Sequence, residues 1–177
     1  MLRKLTTRDA HALFPLLQDP NVFPYVRHKA DTADAYTFVL KGLLDLEDEG
    51  AAYPRVILDE RGCPIGMILL YDVMDGVGFL STWIGKEFFG KGYNAPAKEA
   101  FFQELFVEYG IDTILVKINQ QNTRSRKASA KMPYLTLADS AFKQNGKVYD
   151  LFSISAAHYF SHPASADALY QYENEGS

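Results

Sequence analysis

Gly90, Lys91 and Gly92 stand directly before a stretch with helical periodicity, an arrangement suited to holding an anion. Their surroundings run Ser81-Thr-Trp-Ile-Gly85-Lys-Glu-Phe-Phe-Gly90-Lys-Gly92-Tyr-Asn94. Thr82, Trp83 and Ile84 favour extended backbone, so the segment reads as a strand end, a turn and a helix start. From Ala97 the apolar residues recur at Ala100, Phe101, Phe102, Leu105, Phe106 and Tyr109, and the period stops at Gly110. Pro96 fits this helix only in its first turn, where no intrahelical N–H bond is lost. A helix start exposes unpaired N–H groups and roughly half a positive charge. Glycines ahead of it let a phosphate reach the backbone, and Lys91 adds a cation.

Spacing alone leaves the ligand open. Gly85, Gly90 and Lys91 match a P-loop, but Gly92 stands where the magnesium-binding Ser or Thr belongs. Gly90, Gly92 and Ala95 match a dinucleotide fingerprint, yet the next strand ends Asn119-Gln-Gln-Asn122, with no acid for a ribose. A second group of interest is basic: Arg124, Arg126, Lys127 and Lys131, with Asn122 as an N-cap candidate. These cations read as a solvated helix face, a phosphate contact or an RNA contact. Trp83 reads as core or as the wall of a pocket. Cys63 has no His near it in sequence and reads as a small structural residue, and His28 is the one histidine worth inspecting.

The elements that must position these groups follow from periodicity. Leu2–Leu5 is a strand, and Ala10, Leu13, Phe14 and Leu17 mark a first helix ended by Asp19-Pro20. A loop over Asn21–Ala30 leads to a second helix from about Thr32, whose acidic end Glu47-Asp48-Glu49 reads as solvated. Strands follow at Arg55–Leu58, Pro64–Val73 and Val77–Ile84, joined by short turns and therefore antiparallel. The run Ile65–Tyr71 is apolar at nearly every position, which predicts burial on both faces. After the Gly–Lys turn and its helix, Thr113–Ile118 closes a right-handed parallel crossover. A helix over about Asn122–Lys131 and strands at Leu135–Leu137 and Lys147–Ser155, flanking an Asn145-Gly146 hairpin, complete the pattern.

The chain has 177 residues, 47% hydrophobic and 14% aromatic, enough for one domain with a full core. A net charge of −4 argues against a general nucleic-acid binder. One cysteine precludes an internal disulfide and fits a reducing compartment. The N-terminus lacks a signal-peptide core and no apolar run approaches the roughly 20 residues of a membrane span. A cytoplasmic protein without membrane attachment is expected.

Two motifs in order carry a family resemblance. Phe89-Gly-Lys-Gly-Tyr-Asn94 lies between strand and helix, with Lys98 four residues on, and Asn122-Thr-Arg-Ser125-Arg-Lys-Ala-Ser129-Ala-Lys131-Met-Pro-Tyr134 follows the next strand. From Val77 to Tyr134 the chain resembles the GNAT superfamily of N-acetyltransferases, and most the branch related to ribosomal-protein alanine acetyltransferases. Phe89 replaces the family's Arg or Gln, and Asn94 its Gly or Ala. The resemblance implies acetyl-CoA as co-substrate, no metal, and direct transfer to an amine without a covalent nucleophile. It implies a cofactor site of Trp83, Ile84, Phe89, Gly90, Lys91, Gly92, Tyr93, Asn94 and Asn122, with pyrophosphate on the turn. Pantetheine would lie along Ser81–Ile84, and Arg124 and Lys131 would meet the 3′-phosphate. Ser129 stands where many relatives have a catalytic Tyr, which leaves Ser125 as the expected proton donor to the leaving thiolate. Gly78 stands where the branch often has a Glu base, leaving deprotonation to water, Asp72, Asp75 or the amine's own pKa.

The expected fold is therefore α/β, a single GNAT-type domain over residues 1–157 with a tail over 158–177. Its sheet is mixed and mostly antiparallel, of six or seven strands, with helices on both faces. The expected partners are acetyl-CoA and an amine acceptor, either a protein N-terminus or a small molecule, selected by the Asn21–Ala30 loop and the last hairpin. A homodimer is a candidate assembly. The alternative is a non-catalytic acyl-CoA-binding or regulatory domain.

Overall fold

A computed structural model describes residues 1–130, 132 and 134–162. Seven strands form one sheet in the order β1-β2-β3-β4-β5-β7-β6. They are β1 (Leu2–Lys4), β2 (Tyr53–Leu58), β3 (Pro64–Met74), β4 (Val77–Ile84), β5 (Thr113–Asn119), β6 (Thr136–Gln144) and β7 (Lys147–Ser155). Among the described strands β4 and β5 run parallel, which their helical crossover permits; the other pairs are antiparallel. Hairpin turns set the register. Asp75 and Gly76, and Asn145 and Gly146, all take positive φ, the two-residue geometry that matches strand twist.

The apolar run on β3 is buried on both faces, as its composition predicts. Met67, Leu69 and Tyr71 face one core with α1 (Ala10–Leu17) and α2 (Ala33–Asp48). Ile68 and Leu70 face a second core with α3 (Asn94–Gln103), whose Phe101 and Phe102 are fully buried. Helices thus cover both faces of the sheet. The crossover helix continues past Gln103 as a π-helical turn, Glu104–Glu108, and stops at Gly110 with φ +64°.

Three expectations differ from the structure. The strand foreseen at Leu135–Leu137 runs from Thr136 to Gln144, because pairing with β7 extends an exposed, largely polar edge that carries no apolar alternation. The boundary foreseen at residue 157 falls inside α5 (Ala156–Ser161), whose Tyr159 is buried against Phe102, Phe106 and Tyr134. The rest of the foreseen tail, residues 163–177, lies outside the described residues. The acidic end of α2 is not merely solvated either. Glu47 accepts from Arg55 at 3.0 Å, and Arg55 is only 2% exposed. Arg55 Nε also donates to Glu104 at 2.7 Å, and its Nη2 to the Tyr109 hydroxyl at 2.9 Å. One buried cation on β2 therefore ties the end of α2 to the π-helical turn.

Removing one partner of such a cluster leaves the others charged and uncompensated. Arg55→Ala is expected to cost about 3–5 kcal/mol of unfolding free energy in urea melts. An unchanged midpoint would show that the cluster is solvated rather than structural.

Candidate functional site

The site begins with a sheet that comes apart. β4 and β5 pair only at Val77↔Thr113, Gly78↔Ile114 and Phe79↔Leu115. Beyond Phe79, β4 stays on β3 as far as Gly66↔Ile84, while β5 stays on β7 as far as Asn119↔Tyr149. The two strands diverge, and a cavity of about 340 Å³ occupies the wedge between them. Backbone groups on the β4 edge from Leu80 to Ile84 have no β5 partner, and buried polar backbone must find one. The wedge thus presents a row of backbone donors and acceptors to whatever fills it.

At its open end β4 runs into the glycine turn. Gly90 has φ +70° and Gly92 +85°, and a Cβ on either would meet nothing within 4 Å. Glycine is therefore demanded by the backbone angle, while the space above the turn stays open. The helix starts at Asn94, with Pro96 in its first turn as expected. Buried against the same wedge, Asn94 Oδ1, Thr82 Oγ1 and Trp83 Nε1 have no hydrogen-bond partner among the described residues. Orphaned buried polar atoms are uncommon and mark groups that a ligand can satisfy.

Of the residues singled out by sequence, Trp83, Ile84, Asn94, Asn122, Arg124 and Ser125 line the cavity. Trp83 belongs to the α1–α2 core as well, so it is both packing and wall. Phe89 lies beneath Arg124, whose guanidinium carbon is 3.7 Å from the ring centroid. Lys91 is exposed on the turn, 5.9 Å from the Phe88 ring centroid. Tyr93 turns its hydroxyl to Glu60 on the β2–β3 hairpin, at 2.7 Å, so only its backbone belongs to the turn. Asn122 Oδ1 accepts from Ser125 N at 3.2 Å, capping α4 (Thr123–Ala130) and fixing the start of the helix that carries Ser125 and Arg124. Lys131 lies outside the described residues.

The candidates for a base fare differently. Asp72 is exposed and pairs with Arg27 at 3.7 Å, and neither Asp72 nor Asp75 lines the cavity. His28 is half-buried against Tyr71, with its pKa pushed down by burial and by Arg27. Gly78 explains the missing Glu: a Cβ there would sit 2.8 Å from Leu70 Cγ and 2.9 Å from Val73 Cγ2. No side chain fits at that position. Ser129, where a Tyr would stand, is buried and lines the cavity. Cys63 is exposed.

Five cations of the cavity lining stand outside the site expected from sequence: Arg27, Lys29, Lys98, Lys117 and Lys147. Lys98 carried a readable signal, since Asn94, Lys98 and Phe102 fall on one row of the helix. A cation on that row points at the wedge. Lys98 makes no hydrogen bond or ion pair with the described residues, and desolvation lowers its pKa to about 8. The unfolded chain then binds more protons between pH 8 and 10.5, so this group makes stability rise with pH across that window. Lys98→Met lacks the cost of burying a charge. It is expected to be more stable than the wild type at pH 7 by about 1–3 kcal/mol in urea melts, with the gap closing by pH 10.5.

Comparison with known proteins places this wedge in a family. The family model described as "Acetyltransferase (GNAT) domain" matches residues 1–133. Among solved structures, Mycobacterium smegmatis RimJ in complex with CoA-disulfide superposes with TM-score 0.79 at 18% identity, covering 96% of this chain and 88% of that one. A putative ribosomal-protein-serine acetyltransferase from Vibrio cholerae gives 0.72 at 18%, covering 87% and 92%. A chimera of Vibrio cholerae spermidine N-acetyltransferase SpeG and hSSAT gives 0.73 at 15%, covering 92% and 98%. At such identities the likeness is one of fold. No curated protein matches the chain in sequence. With its glycine turn at the mouth of a parted parallel pair and the family model spanning most of its length, the chain belongs to the GNAT acetyltransferase family.

Proposed function

We infer that the chain is an acetyl-CoA-dependent N-acetyltransferase that moves an acetyl group directly to an amine. The observation that carries this reading is the unpaired β4 edge leading into a left-handed glycine turn at a helix start. A long ligand with amides along its length and phosphates at one end suits that surface, and acetyl-CoA has this form. One fold relative was solved with CoA-disulfide, which supports the choice.

The residues fit the co-substrate. The N–H groups around Gly90–Asn94, with Lys91, would hold pyrophosphate. The β4 edge, Trp83 and Ile84 would hold the pantetheine, Asn94 Oδ1 accepting a bond it otherwise lacks. Arg124, stacked on Phe89, would meet a phosphate from the α4 side. When bound, acetyl-CoA supplies an activated acyl group as a thioester.

Ser125 is the proton donor that suits the leaving thiolate. Its hydroxyl has no hydrogen-bond partner among the described residues, and its position is fixed through Asn122. No carboxylate lines the cavity among the described residues, so an amine bound there meets no side-chain base of that kind. The lining cations instead lower the pKa of a nearby amine and favour the neutral nucleophile. Water can then carry the proton away. The acceptor is a protein N-terminus or a small-molecule amine. The absence of a Tyr at Ser129 and of a Glu at Gly78 favours one rival, a non-catalytic acyl-CoA-binding domain.

Turnover separates the two: thiol release from acetyl-CoA across a panel of amines supports the enzyme, and tight CoA binding without transfer supports the rival. Gly92→Val should abolish CoA binding by calorimetry, since Val is strained by about 1–3 kcal/mol at φ +85°. If the variant binds CoA like the wild type, the turn is not the phosphate site. Ser125→Ala should lower kcat by about 100-fold with CoA affinity kept. An unchanged kcat would remove Ser125 from the chemistry.

A further inference from the structure

The cavity carries a charge pattern that composition conceals. In a chain of net charge −4, its lining holds Arg27, Lys29, Lys98, Lys117, Arg124 and Lys147, and no Asp or Glu among the described residues. Two of these cations stand apart from the rest. Lys117, on β5, lies 5.1 Å from the Phe79 ring centroid, 5.6 Å from that of Tyr149 and 5.9 Å from that of Tyr71. Arg27, from the loop between α1 and α2, lies over the same Tyr71 ring at 4.5 Å. Two like charges thus lie near one aromatic ring at the apex of the wedge.

Their surroundings do little to neutralise them. Lys117 donates to Gln144 Oε1 at 2.5 Å but has no ion pair with a described carboxylate. Among the described carboxylates Arg27 pairs with Asp72, at 3.7 Å, and both side chains are exposed, where such a pair is worth little. Desolvation and the Arg27 charge both push the Lys117 pKa down, which Asp72 opposes. An anion beside the pair would relieve that repulsion.

Position assigns this pair to the acceptor rather than to the co-substrate phosphates. Phe79 marks the last β4–β5 pairing, and Ile84 leads into the glycine turn five residues later, about 17 Å along an extended strand. Tyr71 and Phe79 also pack with the α1–α2 core, whereas α3 packs with the other. The pair therefore sits at the opposite end of the wedge from the turn.

We propose that the acceptor is an amine bearing an anionic oxygen group, a carboxylate or a phosphate, which Arg27 and Lys117 receive at the apex of the wedge. The same wall repels polyamines and other acceptors whose second charge is positive. The proposal rests on the acetyltransferase reading.

The test compares acceptors with one amine and one variable end group. An ω-amino carboxylate, an ω-amino phosphonate and the diamine of equal chain length are assayed with acetyl-CoA over a series of lengths. The CoA-loaded protein is titrated with each by calorimetry. An anionic member is expected to exceed the diamine in kcat/KM by about tenfold or more, and the better anion identifies the end group. Arg27→Gln and Lys117→Gln should each raise KM for that acceptor by about tenfold, with KM for acetyl-CoA unchanged. Equal or better use of the diamine overturns the proposal, as does an unchanged acceptor KM in both variants. Binding of CoA with neither transfer to nor binding of any anionic amine overturns it too, while leaving the phosphate turn standing. Failure to bind CoA at all overturns the acetyltransferase reading itself.

Discussion

The structure depends on one constraint: β4 and β5 are each committed to another partner along their whole length and to each other over only three residues. Past Phe79 β4 keeps to β3 and β5 keeps to β7, and the two part. The result is backbone that is buried by neighbours yet lacks a strand beside it. A sheet interior normally allows no such edge, and here it opens onto a cavity that also receives the start of α3.

Rigidity around the opening comes from elsewhere. β3 is apolar on both sides and holds two cores together, one with α1 and α2, the other with α3 and α5. Behind α3, Arg55 gathers Glu47, Glu104 and Tyr109 in a buried cluster. A hydroxyl pair completes the anchoring: Tyr134 and Tyr159 both donate to Glu99 of α3, and burial together with that carboxylate raises both phenol pKa values. The crossover is thus held by polar contacts at Glu99 and, past the end of α3, at Glu104 and Tyr109. On the row that faces the wedge, Asn94 Oδ1 and the Lys98 ammonium have no partner among the described residues.

Charge is sorted in the same way. The acids that make the chain negative lie in turns, on helix ends and in structural pairs such as Asp9 with Arg3. Six of the eighteen lysines and arginines line the cavity, with no described Asp or Glu beside them. A low-dielectric wall lined by one sign of charge concentrates its field, so this sorting acts on a ligand more strongly than net charge suggests.

Sequence by itself determined the elements whose cause is local. The strands other than β6, the two-sided burial of β3, the Asn145-Gly146 hairpin and the glycine turn before α3 follow from side-chain period and from backbone angles open only to a few residues. The resemblance through Phe89–Asn94 and Asn122–Tyr134 reached the family for the same reason, because its motifs are contiguous. Only the tertiary structure decided what depends on residues far apart in the chain. Arg27 and Lys117 carry no local signal, and a loop and a strand far apart in sequence bring them to one cavity. Glu47 reads as a solvated helix end until β2 presents Arg55 to it. Gly78 reads as a lost base until packing shows that Leu70 and Val73 leave no room for a side chain. A one-dimensional pattern records what each residue prefers, whereas the charge and volume of a site are sums over neighbours that only the folded chain supplies.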